Sequence, residues 1–76
     1  MKTFIFKATH PSPEYNGIER SLGVFFESFT QTYAADHPAL GMGHTHDTAE
    51  AAIRDLLGSN GFSNISDIHE VSGVAS

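Results

Sequence analysis

The stretch PALGMGHTHDTAEAAIRDLL, residues 38–57, joins a glycine turn, a short polar strand and a capped amphipathic helix without a break. Ala49, Ala52, Ile53, Leu56 and Leu57 fall at i, i+3, i+4, i+7 and i+8, which sets their apolar side chains on one stripe of a helix. A stripe of this kind must cover another element. Asp47 or Thr48 is placed to accept a hydrogen bond from the first free amides. Glu50 follows Asp47 at capping-box spacing, near the positive end of the helix dipole, and Gly58 supplies the stop.

Upstream, Lys2 to Thr9 alternates, with Phe4, Phe6 and Ala8 on one face and Thr3, Ile5 and Lys7 on the other, the pattern of a strand. HPSPEYNG, residues 10–17, holds two prolines and an Asn-Gly pair and predicts a mobile turn. Ile18 to Tyr33 is rich in Val, Phe, Thr and Tyr and reads as one extended segment bent near Ser28, although its composition also admits a helix over Leu22 to Phe29. DHPALG turns the chain at Asp36 to Gly41, and Met42 to Thr45 makes a third strand short enough for an edge. After the helix, SNGFSN is a loop, and Ile65, Ile68, Val71 and Val74 thread a last strand of imperfect alternation. The expected fold is α+β in a single domain over residues 1–76, a small antiparallel sheet with one packed helix in the order β-β-β-α-β. The helix is expected on one face, leaving the other partly wet and able to meet a partner.

A chain of 76 residues has a thin core and buries only about 60% of the surface it exposes when unfolded. Six Phe and two Tyr offset this in part, and association of two copies would add burial, so a homodimer is expected. Nine acidic against four basic residues give a net charge of −5, which repels phosphate backbones and excludes direct nucleic-acid binding from the expectation. The absence of cysteine removes disulfides, thiolate metal sites and thiol nucleophiles, and fits a reducing cytoplasm. The apolar patch in MKTFIFKAT is too short for a signal-peptide core or a span of about 20 residues, so no membrane is expected and the location is cytoplasmic.

Five histidines are many for this size, and GHTHD sets His44 and His46 two apart, on one face of a strand. With Asp47, or with His37 as a third ligand, they form the candidate for a Zn, Ni or Fe site, and so for a metal-binding module or metal-dependent hydrolase. His-x-His alone is a weak signature, and Asp47 is wanted as a helix cap. The expectation is therefore polar edge-strand histidines, no cofactor and no enzyme, with sensitivity to acid pH as the residual role. No serine sits in a nucleophile elbow, and the chain has neither a P-loop nor G-x-G-x-x-G. Phe25, Phe26, Phe29 and Tyr33 resemble a base-stacking platform, but only Arg20 lies nearby to supply charge. Core packing is the expectation, for Phe26 above all. Phe29 and Tyr33 become anchors for a protein partner if they stand on the free sheet face.

Leu40, Gly41, Asp47, Thr48, Glu50, Ala52 and Ile53, with the preceding FFESFTQTYAADHPALG, resemble a HicB-type antitoxin domain over about residues 23–57. In that family a strand carrying aromatic and acidic residues leads through a glycine turn and a short strand into Asp-Thr and an Ala-rich helix. The resemblance implies a partner-binding domain that neutralises a small basic ribonuclease. The acidic balance agrees with it, since complementary charge speeds and orients encounter. Glu27, Phe29, Tyr33 and Asp36 are the residues expected to carry partner binding. The chain departs from the family in having no helix-turn-helix or ribbon-helix-helix segment after the domain, so operator binding is not expected. The same properties suit a phage-encoded anti-CRISPR or other anti-defence inhibitor that occupies a basic channel.

Overall fold

A computed structural model describes residues 1–71. The elements are β1 (Lys2–Thr9), α1 (Pro13–Asn16), β2 (Ser21–Glu27), β3 (Thr32–His37), β4 (Gly41–His46), α2 (Ala49–Ser59) and β5 (Ser63–Glu70). The five strands form one antiparallel sheet in the order β4-β3-β2-β1-β5. The α+β class and the packing of the main helix on one sheet face are as expected.

The additional strand comes from the segment Ile18 to Tyr33, which is not one bent strand but β2, a reverse turn over residues 28–31, and the start of β3. Two side-chain hydrogen bonds hold that turn. The Phe29 amide donates to Glu27 Oε1 at 3.2 Å, and the hydroxyls of Thr30 and Thr32 meet at 2.6 Å. Gln31 takes φ 58°, a left-handed conformation uncommon for a residue with a side chain. Residues 10–17 contain the short helix α1 where a mobile turn was expected, with Pro13 in its first turn, where the missing amide costs nothing.

On the helix side, Phe6, Leu22, Val24 and Ala35 of the sheet pack against Ala52, Ile53, Leu56 and Leu57 of α2 and against Phe62. Ile53 and Leu57 are fully buried, and removing each from water contributes about 1.5–3 kcal/mol. Thr48, not Asp47, caps α2, accepting from the Ala51 amide at 3.1 Å, and Glu50 pairs with Arg54 one turn on instead of closing a capping box. Gly58 does not stop the helix, which runs on to Ser59 with Asn60 as its cap. The left-handed position is Gly61, at φ 90°.

The imperfect alternation of the last strand has a physical cause. Asn64 and Asp67 both sit at φ 53°, and the pairing of β1 with β5 slips between Thr9 and Lys7 and again between Lys7 and Ile5. Each slip adds one residue to β5, so Ile65 and Ile68, three apart, both turn towards the core. Val74 lies outside the described residues. Strand β4 forms the opposite edge, as expected, and carries a bulge of its own where Gly43 and His44 face Ala35. There Gly43 lets the helix come close, since a Cβ would stand 3.3 Å from Leu56 Cβ.

Gly58 lies in the helix with open space around the position of a Cβ, so Gly58→Ala is expected to stabilise the fold by about 0.5–1 kcal/mol. Gly61→Ala is expected to cost about 1–3 kcal/mol, because it combines a left-handed φ with a Cβ 2.8 Å from His10 Nε2. Urea unfolding midpoints that move in the same direction for both variants would contradict this placement.

Candidate functional site

An open cleft of about 600 Å³ lies on the helix side of the sheet, beyond the first turn of α2. Its apolar lining includes Phe4, Val24, Phe26 and Tyr33 from the sheet and Ala49 from the helix, with Met1 and Phe25 also contributing. Lys2, Asp47, Thr48 and Glu70 supply the polar groups. Phe26 and Tyr33 are cross-strand partners, their ring centroids 5.0 Å apart at 51°, a favourable tilted pair. By alternation Phe26 shares a face with Leu22 and Val24, yet it is 53% exposed. The expectation that Phe26 is core is therefore corrected: the residue has the right face, but the helix begins too late to cover it.

The residues expected to bind a partner do not form one patch. Tyr33 lies half-buried in the cleft, on the helix side and not on the free face. Phe29 is 92% exposed at the tip of the β2–β3 turn. Glu27 is exposed at the end of β2, where its carboxylate fixes that turn. Asp36, opposite Gly23 and Met42, points to the free face. Phe4 and Phe26 were the cleft residues missed by sequence reasoning. Their signal was aromatic residues in adjacent strands, which core packing explained equally well.

The four lysines and arginines are all engaged by ion pairs or hydrogen bonds. Lys2 reaches Glu70 at 3.8 Å, Lys7 reaches Asp67 at 3.2 Å and Arg54 reaches Glu50 at 2.9 Å. Arg20 is spent internally, donating to the carbonyls of Ala8, Asn16 and Ile18, with its guanidinium near the rings of Phe6 and Phe62. Glu27 beside Phe26, and Asp47 in the cleft, have no cation against them among the described residues.

The histidines divide into two kinds. In His10-Pro11-Ser12 and in His37-Pro38-Ala39, the imidazole Nδ1 accepts from the amide two residues on, at 2.9 and 3.0 Å. A backbone amide can only donate, so Nδ1 carries no proton, and Nε2–H donates to the carbonyl of Asn60 or of Glu19, at 2.8 and 3.0 Å. His37 is buried with both nitrogens committed and is not a metal ligand. His44 and His46 do lie together, but the carboxylate between them is Asp55 of α2, at 3.7 Å from His44 and 2.9 Å from His46. Asp47 turns to the cleft instead, so the set His44, His46, Asp47 is not assembled. Among the described residues no three His, Asp or Glu side chains stand where they could hold a metal ion.

The hydrogen bond from His46 holds the Asp55 carboxyl below its ordinary range; Ser59 and the nearby imidazole charges act in the same direction, against partial desolvation. A carboxyl with a lowered folded pKa contributes stability above its unfolded value of 3.8 and loses it as pH falls through the folded value. Asp55→Asn is accordingly expected to lower the denaturant midpoint at pH 7 and to equal the parent chain in strong acid. A deficit that persists in acid would mean a packing role. For the buried imidazole, His37→Ala is expected to cost about 1–3 kcal/mol by orphaning the Glu19 carbonyl and the Ala39 amide, and ¹⁵N shifts should show His10 and His37 as Nε2–H tautomers.

Comparison with family models, with curated proteins and with solved structures found no match for this chain.

Proposed function

We propose that the chain is a small non-enzymatic inhibitor of the HicB-antitoxin type, which works by binding a basic protein. The partner is a toxin ribonuclease or another nucleic-acid-binding complex, including one that serves defence against phage. The observation that carries this reading is the cleft. Its exposed aromatic Phe26 stands near Asp47, an acid of the cleft lining that no lysine or arginine neutralises among the described residues, and the next residue, Glu27, is a second unneutralised acid at the end of β2.

Apolar area open to water beside uncompensated charge is the composition of a binding site in which the ring supplies affinity and the acids supply approach. Phe29, on a turn fixed by Glu27 and by the Thr30–Thr32 contact, extends the apolar surface on a rigid arm, so little conformational entropy is lost when it is covered. Nuclease active sites and nucleic-acid channels are basic because they hold phosphates, and an acidic ligand with aromatic anchors competes for the same cations. Among the described residues His46 is engaged by Asp55, and His10 and His37 are committed to backbone groups, which agrees with a role in binding.

The partner is to be identified by affinity capture with the tagged chain and then measured with purified components. Phe26→Ala and Phe29→Ala are each expected to weaken binding by about 2 kcal/mol, roughly 30-fold, mostly through faster dissociation. Glu27→Lys with Asp47→Lys is expected to slow association and to flatten its dependence on salt. A captured basic protein indifferent to both pairs of substitutions would exclude the cleft as its site.

A further inference from the structure

The sheet face turned away from α2 has no covering element among the described residues, yet several of its outward positions are apolar. Strand alternation sends Thr3 and Ile5 of β1 outward, with Gly23 and Phe25 of β2, Ala34 and Asp36 of β3 and Met42 of β4, and Met1, just before β1, lies over Gly23 on the same face. Met1 is 80% exposed and Met42 59%, and Ile5 and Phe25 are exposed as well. They form one patch. Phe25 pairs with Ala34 across the ladder, and Met1 comes beside Phe25 one step past the Lys2–Val24 pair. The Met1 sulfur also fills the space over Gly23, where a Cβ would stand 2.5 Å from it. The charges Lys7, Glu27 and Asp67 lie at the margins, and Asp36 is the exception in the middle.

We propose that this face packs against the same face of a second copy of the chain, about a two-fold axis running along β2. Area permits it. Strands of six to eight residues, five abreast, span a face of roughly 500 Å² at about 4.8 Å between strands and about 3.3 Å per residue. Two such faces remove about 1,000 Å² from water before side-chain relief is added, the size at which protein interfaces become specific.

Charge chooses the axis. A two-fold across the strands would lay β3 on β3 and press Asp36 against Asp36 of the second copy, two like charges in a closing interface. The axis along β2, the middle strand, lays β1 on the second copy's β3 instead. Long Met1 then meets small Ala34, the Thr3 hydroxyl reaches the Asp36 carboxylate as a donor, and Phe25 stacks on Phe25. Large side chains meet small ones, and the one central charge meets a donor. The pairing shares only Met1 and Phe25 with the lining of the proposed partner site; Phe4, Val24, Phe26 and Tyr33 of that cleft face α2, and Phe29 projects from the hairpin tip.

The absence of cysteine makes the test specific. In sedimentation equilibrium the chain is expected to appear at twice its 8.2 kDa, and added salt should strengthen the dimer, because each copy carries a net charge of −5. Salt acts oppositely on a basic partner, so the two interfaces fail or succeed separately. Phe25→Asp should weaken the dimer about 100-fold while keeping the parent circular dichroism, the effect of sealing an unpaired carboxylate between apolar faces. Should that variant unfold, Phe25→Cys decides: its single thiol lies on the axis and should oxidise to a covalent dimer far faster than that of Glu14→Cys. A chain that stays monomeric up to its solubility limit, a dimer untouched by Phe25→Asp in the folded protein, one that salt dissociates, or equal oxidation of the two thiol variants would each overturn the proposal.

Discussion

Among the described residues one short helix, α2, covers this sheet, and most of what distinguishes the molecule follows from its shortness. An α-helix of eleven residues is about 16 Å long, while five strands side by side are about 24 Å wide. Ile53, Leu56 and Leu57 can therefore seal only part of one face. They seal it well, down to the contact of Leu56 with Gly43, but they stop short of the Phe26–Tyr33 pair. The cleft is what remains where the rod ends. Lengthening α2 by a turn at its start would close it, yet Thr48 and its hydrogen bond to Ala51 fix the first turn in place.

A core this thin needs other means of holding the loops, and the chain uses side chains that look functional from sequence. Arg20 ties the end of β1 to the α1 region by its carbonyl contacts, with the rings of Phe6 and Phe62 against its guanidinium. His10 directly follows β1 and His37 ends β3; each precedes a proline and closes its loop on the amide two residues later while reaching a distant carbonyl with the other nitrogen. The proline fits because it fixes φ and brings no amide of its own to compete for Nδ1. One side chain thus satisfies two backbone groups that would otherwise lie unpaired. The same two-ended bonding takes His37 out of metal chemistry. His46 is tied as well, and its bond to Asp55 makes it a clasp between edge strand and helix.

What the sequence disclosed depended on how far apart the interacting residues lie. Lys2–Thr9 and Ala49–Leu57 were legible because a single face of each is apolar, and periodicity is a local property. The turn after Glu27 was not, because FESFTQT has no Gly, Pro or Asn. It is set by the Glu27 and Thr30 side-chain bonds and by Gln31 in a left-handed conformation, which composition does not announce. Strand β5 looked irregular because two bulges stretch its apolar spacing from two residues to three. In the site, His44 and His46 were rightly placed together, but their carboxylate comes from Asp55, which meets them only after α2 has docked on β4. Phe26 was misplaced for a related reason. Alternation gives the face of a side chain, whereas its burial depends on where another element ends.

The two uncovered surfaces raise the question of how an acidic, partly apolar chain avoids indiscriminate association, and the distribution of charge supplies an answer. On the helix side the apolar cleft carries Asp47, which has no cation against it among the described residues, so a second copy approaching it would bring like charge. On the free face the acids Glu27 and Asp67 sit at the margin, and Lys7 stands with them against Asp67. Repulsion there falls on the rim, where water and salt screen it, and the apolar centre can close. Under the proposed pairing, one surface would select against the chain itself and the other would accept it. Because Phe4, Val24, Phe26 and Tyr33 of the cleft face α2, occupation of the free face would cover only its edge at Met1 and Phe25. A pair of chains joined through their free faces would carry two clefts pointing apart, each with its own projecting Phe29, which is the arrangement that lets a small module hold two copies of a basic partner without either blocking the other.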